Sequence, residues 1–250
     1  MCRLQTKNTL LRAVICSVPI ALFSSTALAE QNAWTFDLFA YLWATDTGVT
    51  ADTPFGEVNS ELSFSDALKD LDFAFMGTAE ARNGPWGLIG DLLYLKLTSK
   101  GSPPGPVFSG VAVETEMTVL TGYLAYRVYE DTNVALDLGA GFRAFWTDLD
   151  IDLSGNLSES FGQSKNWVDP IVAARLGVAF SDQWFGSLSL DGGGTSDTSN
   201  WQALATIGYS FNEKWSVQAG WRYLEAEWDT KQGKSSLDFS GPIMGVTYGF

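Results

Sequence analysis

The C-terminal stretch Ser236–Phe250 constrains the fold of this chain more than any other part of it. From position 241 onward the residues alternate between two classes. One class is apolar and ends in an aromatic residue at the last position: Pro242, Met244, Val246, Tyr248 and Phe250. The other class is small or weakly polar: Gly241, Ile243, Gly245, Thr247 and Gly249. Because successive side chains of a strand point to opposite faces, the pattern predicts a strand with one face against lipid and the other against a packed, partly polar lumen.

Nine earlier segments alternate in the same way and are separated by turn-forming residues. They lie at 33–45, 73–83, 86–99, 111–128, 133–147, 167–180, 184–193, 201–211 and 215–228. The sequence therefore predicts an all-β fold, a closed antiparallel transmembrane β-barrel of ten strands, with eight or twelve strands as alternatives. A soluble, lipocalin-like barrel also has alternating strands, but it buries its apolar face inward.

The connections between the segments alternate in length. Short turns at 83–85, 129–132, 181–183 and 212–214 alternate with mostly longer connections at 46–72, 100–110, 148–166, 194–200 and 229–235. Outer-membrane barrels have short periplasmic turns and long extracellular loops, with aromatic girdles at both interfaces. Aromatic residues mark the short-turn ends: Trp34, Trp86, Tyr129, Phe180, Trp184, Phe211, Trp215 and Phe250. A second set lies farther along the same strands: Tyr94, Trp146, Trp201 and Tyr223.

The N-terminus has the three parts of a secretory signal peptide. Arg3, Lys7 and Arg12 precede an apolar run at 13–23, and the small residues Ala27-Leu28-Ala29 follow. We expect residues 1–29 to be the signal peptide, cleaved near Ala29, and residues 30–250 to be the barrel domain. The mature protein is then exported through the periplasm to the outer membrane.

Composition excludes several classes of function. Both cysteines, Cys2 and Cys16, lie in the signal peptide, and the whole chain contains no histidine. Catalysis by Ser/His or Cys/His groups and metal binding by histidine are therefore excluded, and no cofactor is expected. Loss of three basic residues with the signal peptide changes the formal net charge from −14 to −17. That charge disfavours nucleic acid as a partner.

Ten charged residues fall on the face predicted to line the lumen. They are Glu80, Arg82, Asp91, Arg127, Asp137, Arg143, Asp169, Arg175, Asp191 and Arg222. Five acids and five bases can form a charged constriction for a solute, or mutually neutralising pairs that fill a narrow lumen. We expect the paired arrangement, because a small barrel is filled by side chains and an unpaired buried charge is costly.

Two further motifs lie in the long connections. Asp148, Asp150 and Asp152 share one face of an extended segment, where two carboxylates could bridge a Ca²⁺ ion. The segment lacks the other features of a calcium loop, so we expect solvated charge. Residues 63–71 predict a short amphipathic helix with Ser63 as its N-cap, which could close the barrel mouth or pack on its rim.

Once the strands are placed, several stretches resemble a family of small Gram-negative outer-membrane β-barrels. The similar stretches are Tyr41–Trp43, Phe64–Leu68, Phe73–Gly77, Trp167–Pro170, Gly241–Gly245 and Phe250. The family has no assigned activity, so the resemblance implies fold and location. It also implies outer-membrane lipid as the surroundings and the barrel-assembly machinery as the partner of the strand ending at Phe250.

From these features we predict a monomeric, non-catalytic outer-membrane protein. Its role is structural, or it binds a partner through acidic extracellular loops. A narrow channel for small solutes and a carboxylate-dependent enzyme are the alternatives, since paired carboxylates alone can carry out acid–base catalysis.

Overall fold

A computed structural model describes residues 33–53, 56–101, 108–155, 159–230 and 233–250. The predicted signal peptide lies outside these residues. The described part contains twelve strands and one helix. In chain order they are β1 (Thr35–Trp43), β2 (Asp46–Thr53), β3 (Gly56–Leu62), α1 (Phe64–Asp70), β4 (Leu71–Asn83), β5 (Trp86–Gly101), β6 (Phe108–Glu130), β7 (Val134–Gly155), β8 (Glu159–Ala179), β9 (Trp184–Gly194), β10 (Thr198–Ser210), β11 (Trp215–Asp229) and β12 (Lys234–Gly249). Within the residues described, no helix is both long and apolar enough to cross a membrane.

Ten of the strands, β1 and β4 to β12, form a closed antiparallel barrel. Each pairs with its neighbours along the chain, and β1 closes the ring by pairing with both β4 and β12. The last residue takes part in this closure, since the backbone nitrogen of Phe250 donates to the carbonyl oxygen of Phe36 at 2.9 Å. A lipid-embedded sheet needs such closure because hydrocarbon offers no partner to an unpaired strand edge. The prediction of ten barrel strands is confirmed.

The connection predicted at 46–72 contains a hairpin that the sequence analysis did not identify. Strand β2 continues the path of β1 along β12, with Asp46 opposite Ser240, and β3 pairs back onto β2. The break between β1 and β2 lies opposite Pro242, whose carbonyl oxygen accepts from the backbone nitrogen of Ala44. Residues 46–62 lack a continuous apolar face, so a search for membrane strands misses a hairpin that is held by backbone pairing to β12.

The predicted helix is present as α1, and Asp46, which the prediction did not include, caps its first backbone nitrogen. The backbone nitrogen of Phe64 donates to Asp46 Oδ1 at 2.8 Å, while the hydroxyl of Ser63 lies 3.0 Å from that of Ser65. Asp46 begins β2 and lies 18 positions earlier in the chain, so local spacing could not reveal this cap. The helix packs beside β5.

The outer face of the barrel is apolar. All eight aromatic residues predicted at the short-turn ends are exposed, from 47% for Trp215 to 68% for Phe250. Several of them contact aromatic neighbours, and the rings of Trp215 and Tyr248 lie 4.7 Å apart. Trp146 and Trp201 of the second set are also exposed. Exposed apolar surface of this extent is typical of a face that contacts lipid.

The turn between β6 and β7 is organised by Asp131. Its carboxylate accepts hydrogen bonds from the backbone nitrogens of Asn133 and Val134 and from the hydroxyl of Tyr129. The Asn133 nitrogen contributes most to lowering the pKa of Asp131 below its ordinary value, followed by Tyr129 and Val134. Because these donors favour the ionised form, the turn is stabilised while the carboxylate is ionised and weakens as the pH falls through the pKa of the folded state.

Two lumen-facing glycines provide a matched test of how closely the strands approach. A Cβ atom at Gly141 would lie 2.0 Å from the carbonyl oxygen of Gly122, whereas one at Gly177 would have no heavy atom within 4 Å. We expect Gly141→Ala to lower the free energy of unfolding by about 1–3 kcal/mol or to prevent folding, because the backbone must shift. Gly177→Ala should leave stability unchanged.

The measurement is refolding yield and urea unfolding of both variants, with heat-modifiable gel mobility as the sign of a folded barrel. Equal stability of the two variants would contradict the close approach of β6 and β7 at Gly141.

Candidate functional site

The ten charged residues predicted on the lumen face all lie inside the barrel, in two groups at different heights. We call the group near the short turns the lower cluster. It consists of Glu80, Arg82, Arg127, Asp137 and Arg175. Asp137 accepts hydrogen bonds from all three guanidinium groups, with Arg82 Nη2 at 2.7 Å, Arg127 Nε at 2.8 Å and Arg175 Nη2 at 3.0 Å. Glu80 lies 2.6 Å from Arg175 and 2.9 Å from Arg82. These bonds tie β4 to β6, β7 and β8.

The second group, the central network, crosses the lumen above the lower cluster. It consists of Tyr41, Asp91, Arg143, Asp169, Asp191, Asn200, Gln202 and Arg222. Arg222 on β11 reaches Asp91 on β5 at 2.8 Å and also donates to the Tyr41 hydroxyl at 2.5 Å. Tyr41 donates in turn to Asp91 Oδ2 at 2.8 Å. Because β5 and β11 are far apart around the ring of strands, the hydrogen bond between Arg222 and Asp91 spans the barrel interior.

Arg143 organises the other half of the central network and is fully buried. Its guanidinium donates to Asp191 at 2.6 Å, to the side-chain oxygen of Asn200 at 2.8 Å and to Thr121 at 2.9 Å. Gln202 joins the two halves, because it donates to Asp191 at 2.9 Å and accepts from Arg222 at 2.6 Å. Each guanidinium is thus matched by oxygen atoms on several strands, as a desolvated charge requires.

The expected one-to-one pairing of acids and bases is wrong for Asp169. This carboxylate is fully buried, and it forms no ion pair with any residue that the structure describes. It accepts instead from Asn200 Nδ2 at 2.7 Å, from Trp167 Nε1 at 3.2 Å and from the Thr198 hydroxyl. Asn200 also accepts a hydrogen bond from Arg143, so its side-chain amide lies between the guanidinium of Arg143 and the carboxylate of Asp169. The lower cluster has the opposite imbalance, with three arginines around Asp137.

The interior also contains an apolar layer, which the sequence analysis did not predict. We call it the apolar plug. It lies on the long-loop side of the central network and consists of Trp43, Leu93, Met117, Val119, Phe145, Leu224, Ala226 and Phe239, each 5% exposed or less. Phe145 stacks on Trp167 with ring centroids 4.4 Å apart. The lumen is therefore filled by ions at one level and by hydrocarbon at the next.

The three aspartates proposed as a weak Ca²⁺ site lie outside the lumen. Asp148, Asp150 and Asp152 are on β7 and exposed. Asp148 and Asp152 each accept a hydrogen bond across the hairpin, from Ser164 at 2.5 Å and Ser160 at 2.6 Å. In the part of the chain that the structure describes, no group of three or more acidic, histidine or cysteine residues is arranged to hold a metal ion.

Several residues of the lumen escaped the sequence analysis because they carry no charge or stand alone. Asn200 and Gln202 link the ion pairs, and Tyr41 bridges Arg222 and Asp91. Asp37, near the start of β1, lines a cavity of about 300 Å³ below the central network. All four occupy positions that face the lumen in the alternating pattern of their strands, as the charged residues do. That alternation was the signal available in the sequence.

Arg143 is the position where the central network can be tested. Replacement by Met keeps the volume but leaves Asp191 and Asn200 without their cation, so we expect a loss of about 3–5 kcal/mol in the free energy of unfolding. Lys96→Ala is the matched control, because Lys96 pairs with Glu114 on the partly exposed outer face and such pairs contribute about 0–1 kcal/mol.

Urea unfolding of the refolded barrel, followed by tryptophan fluorescence, measures both changes. Arg143→Met combined with Asp191→Asn should recover part of the loss, since the two side chains interact directly. A central network without energetic importance would instead give equal stability for Arg143→Met and Lys96→Ala.

Comparisons with known proteins were made on sequence and on structure. No protein-family model matches the chain, and no curated protein matches it in sequence. Similar solved structures include Ail, the attachment invasion locus protein of Yersinia pestis, with 11% identity, 88% of this chain and 99% of that chain covered, and a TM-score of 0.41. The translocator domain of the autotransporter NalP from Neisseria meningitidis has 14% identity, coverages of 88% and 90%, and a TM-score of 0.44. Neisserial surface protein A has 12% identity, coverages of 86% and 96%, and a TM-score of 0.31.

The location follows from the geometry of the molecule itself. The ring of strands leaves no open edge in the membrane band, the exterior is apolar between aromatic belts, and the charges lie inside. A soluble barrel of the lipocalin type has its apolar face inside and a polar exterior, which is the reverse arrangement. The chain is a ten-stranded transmembrane β-barrel with its apolar face toward lipid.

Proposed function

We propose that this protein is a non-catalytic outer-membrane barrel that is sealed to solutes and acts through its outer surface. The observation that carries the proposal is the filling of the lumen by two successive layers. Arg143, Arg222 and their partners span the interior, and the apolar plug lies directly above them. A hydrated ion would have to break buried ion pairs and then cross a hydrocarbon layer, both of which are costly.

The cavity below the central network favours the channel alternative only in part. Its lining reaches upward to Tyr41, Asp91, Gln202 and Arg222. These four residues are joined by hydrogen bonds and so form its roof. A cavity closed in this way supports access from one side of the membrane without passage.

A non-catalytic role is supported by the state of the lumen carboxylates. The chain has no histidine, so a catalytic scheme would need a pair of carboxylates with one free to exchange protons. Glu80, Asp91, Asp137 and Asp191 are each held by at least one arginine within 3.0 Å. Such pairing commits these four carboxylates to guanidinium groups and leaves no unpaired pair of carboxylates among them.

The outer surface is strongly acidic by sequence position. Of the 29 acidic residues, Glu30, four residues at short turns and six lumen residues account for eleven, so 18 lie on the side of the long connections. The same side carries six lysines and no arginine. In the ladder of β6 and β7, Glu116 lies opposite Asp148 and Glu114 opposite Asp150. Opposed like charges are unfavourable; Lys96 pairs with Glu114, and a cationic partner would relieve the negative charges that remain.

Planar-bilayer recording tests the sealed lumen. The refolded mature barrel should give no stable openings, because both layers would have to rearrange for an ion to pass. An open porin inserted in the same bilayer shows that the recording detects conductance. Discrete, ion-selective openings of the purified protein would establish the channel alternative and overturn the proposal.

The acidic surface makes a separate prediction. Oligolysine should bind the barrel in nanodiscs, and binding should weaken as salt rises, because exposed charges are screened over about 10 Å at 0.1 M salt. Asp148→Asn with Asp150→Asn should reduce affinity. Asp182→Asn with Glu213→Gln, which removes two charges at short turns, is the control and should have a smaller effect. Equal effects of the two double variants would count against recognition at the outer surface.

A further inference from the structure

The cavity below the central network has a composition suited to a ligand. Its volume is about 300 Å³, and it extends downward to Asp37, Ser216 and Thr247 near the short-turn end of the barrel. These residues lie close to the periplasmic ends of β1, β11 and β12. A small molecule could therefore enter from the periplasm and would stop at the central network.

One carboxylate that lines this cavity forms no ion pair with a residue that the structure describes, whereas Arg143 and Arg82, just outside the lining, pair with Asp191 and Glu80. Four carboxylates and two guanidinium groups line it: Asp37, Glu80, Asp91, Asp191, Arg175 and Arg222. Glu80, Asp91 and Asp191 each have an arginine within 3.0 Å. Asp37 has neither a hydrogen bond nor an ion pair to any residue that the structure describes, and its side chain is exposed. The cavity therefore presents one uncommitted negative charge near its entrance.

The walls of the cavity are aromatic on one part and polar on another. Phe39, Tyr41, Tyr123 and Phe185 contribute rings, and the rings of Phe39 and Tyr41 lie 5.2 Å apart. The polar wall is already bonded within itself, because Thr206 contacts Ser187 at 2.7 Å and donates to Gln218 at 3.1 Å. The hydroxyls of Ser187 and Thr206 are thus fixed in place, and the strongest remaining attractions are the Asp37 carboxylate and the aromatic faces.

We propose that this cavity binds a small organic cation of the alkylammonium class. The positive nitrogen lies near Asp37, and its alkyl groups lie against the rings of Phe39, Tyr123 and Phe185. Aromatic faces attract alkylammonium ions by a cation–π interaction, and a mostly apolar cavity with a few polar groups is typical of small-molecule sites. A metal ion fits less well, because the described residues contain no group of three acidic, histidine or cysteine ligands.

The test uses choline and its uncharged carbon isostere, 3,3-dimethylbutan-1-ol, with the full-length mature barrel refolded in detergent micelles. Isothermal titration calorimetry should give saturable binding of choline. The isostere should bind at least about tenfold more weakly, because it has the same shape without the charge. Asp37→Asn should weaken choline binding by about tenfold while leaving the isostere unchanged.

Asp182→Asn is the matched control, since it removes one carboxylate from an exposed short turn outside the cavity lining. It should bind choline with unchanged affinity, and heat-modifiable mobility shows that each variant is folded. Absence of saturable choline binding, equal affinity for the isostere, or unchanged affinity in Asp37→Asn would each overturn the proposal. None of these outcomes bears on the sealed lumen, which bilayer recording tests independently.

Discussion

The closure of the backbone hydrogen-bond ring is the constraint on which the rest of the structure depends. Hydrocarbon cannot satisfy a peptide N–H or C=O group, so every membrane strand must pair on both sides. Closure fixes two faces for each strand, and the period of two then decides what each face can contain. The outward face must be apolar. The inward face of a barrel with only ten strands must be filled by side chains, because the interior is too narrow for a wide aqueous pore.

The lumen meets this requirement with layers of different chemistry. The lower cluster gathers three arginines around Asp137, the central network spans the barrel through Arg143 and Arg222, and the apolar plug covers them on the outer side. Every arginine after the predicted signal peptide is used in this interior, whereas the lysines lie at turns and on the outer side. The planar guanidinium can bond several oxygens at once, which suits it to bridging strands across a dry lumen better than the point charge of lysine. Because packed side chains fill the interior, the ends of the barrel are the surfaces available for recognition.

Most of the barrel could be predicted from the sequence, because lipid contact on one face requires apolar residues at alternate positions of each strand. The outward residues of β1, β7 and β12 and the ten lumen charges have the phase that alternation gives them. The apolar plug has the same phase and lies one inward position beyond three of the central charges, with Leu93 after Asp91, Phe145 after Arg143 and Leu224 after Arg222. It was missed because apolar residues were assigned to the lipid face alone.

The partners of each charge could not be predicted, since Arg143 turns from its cross-strand neighbour Asp169 to Asp191. The hairpin β2–β3 was hidden because its pairing depends on β12 rather than on an apolar face.

The central claim is that the apolar outer face of a closed sheet contacts lipid while the charged side chains of its strands lie in the interior. A nitroxide scan along β9, at Ser187, Leu188, Ser189 and Leu190, tests it most directly, and the absence of cysteine after position 29 makes single-cysteine labelling simple. In lipid bilayers, collision with oxygen should be high at Leu188 and Leu190 and low at the two serines. Uniform oxygen access along the strand, or high access to a water-soluble relaxation agent at the two leucines, would contradict the account.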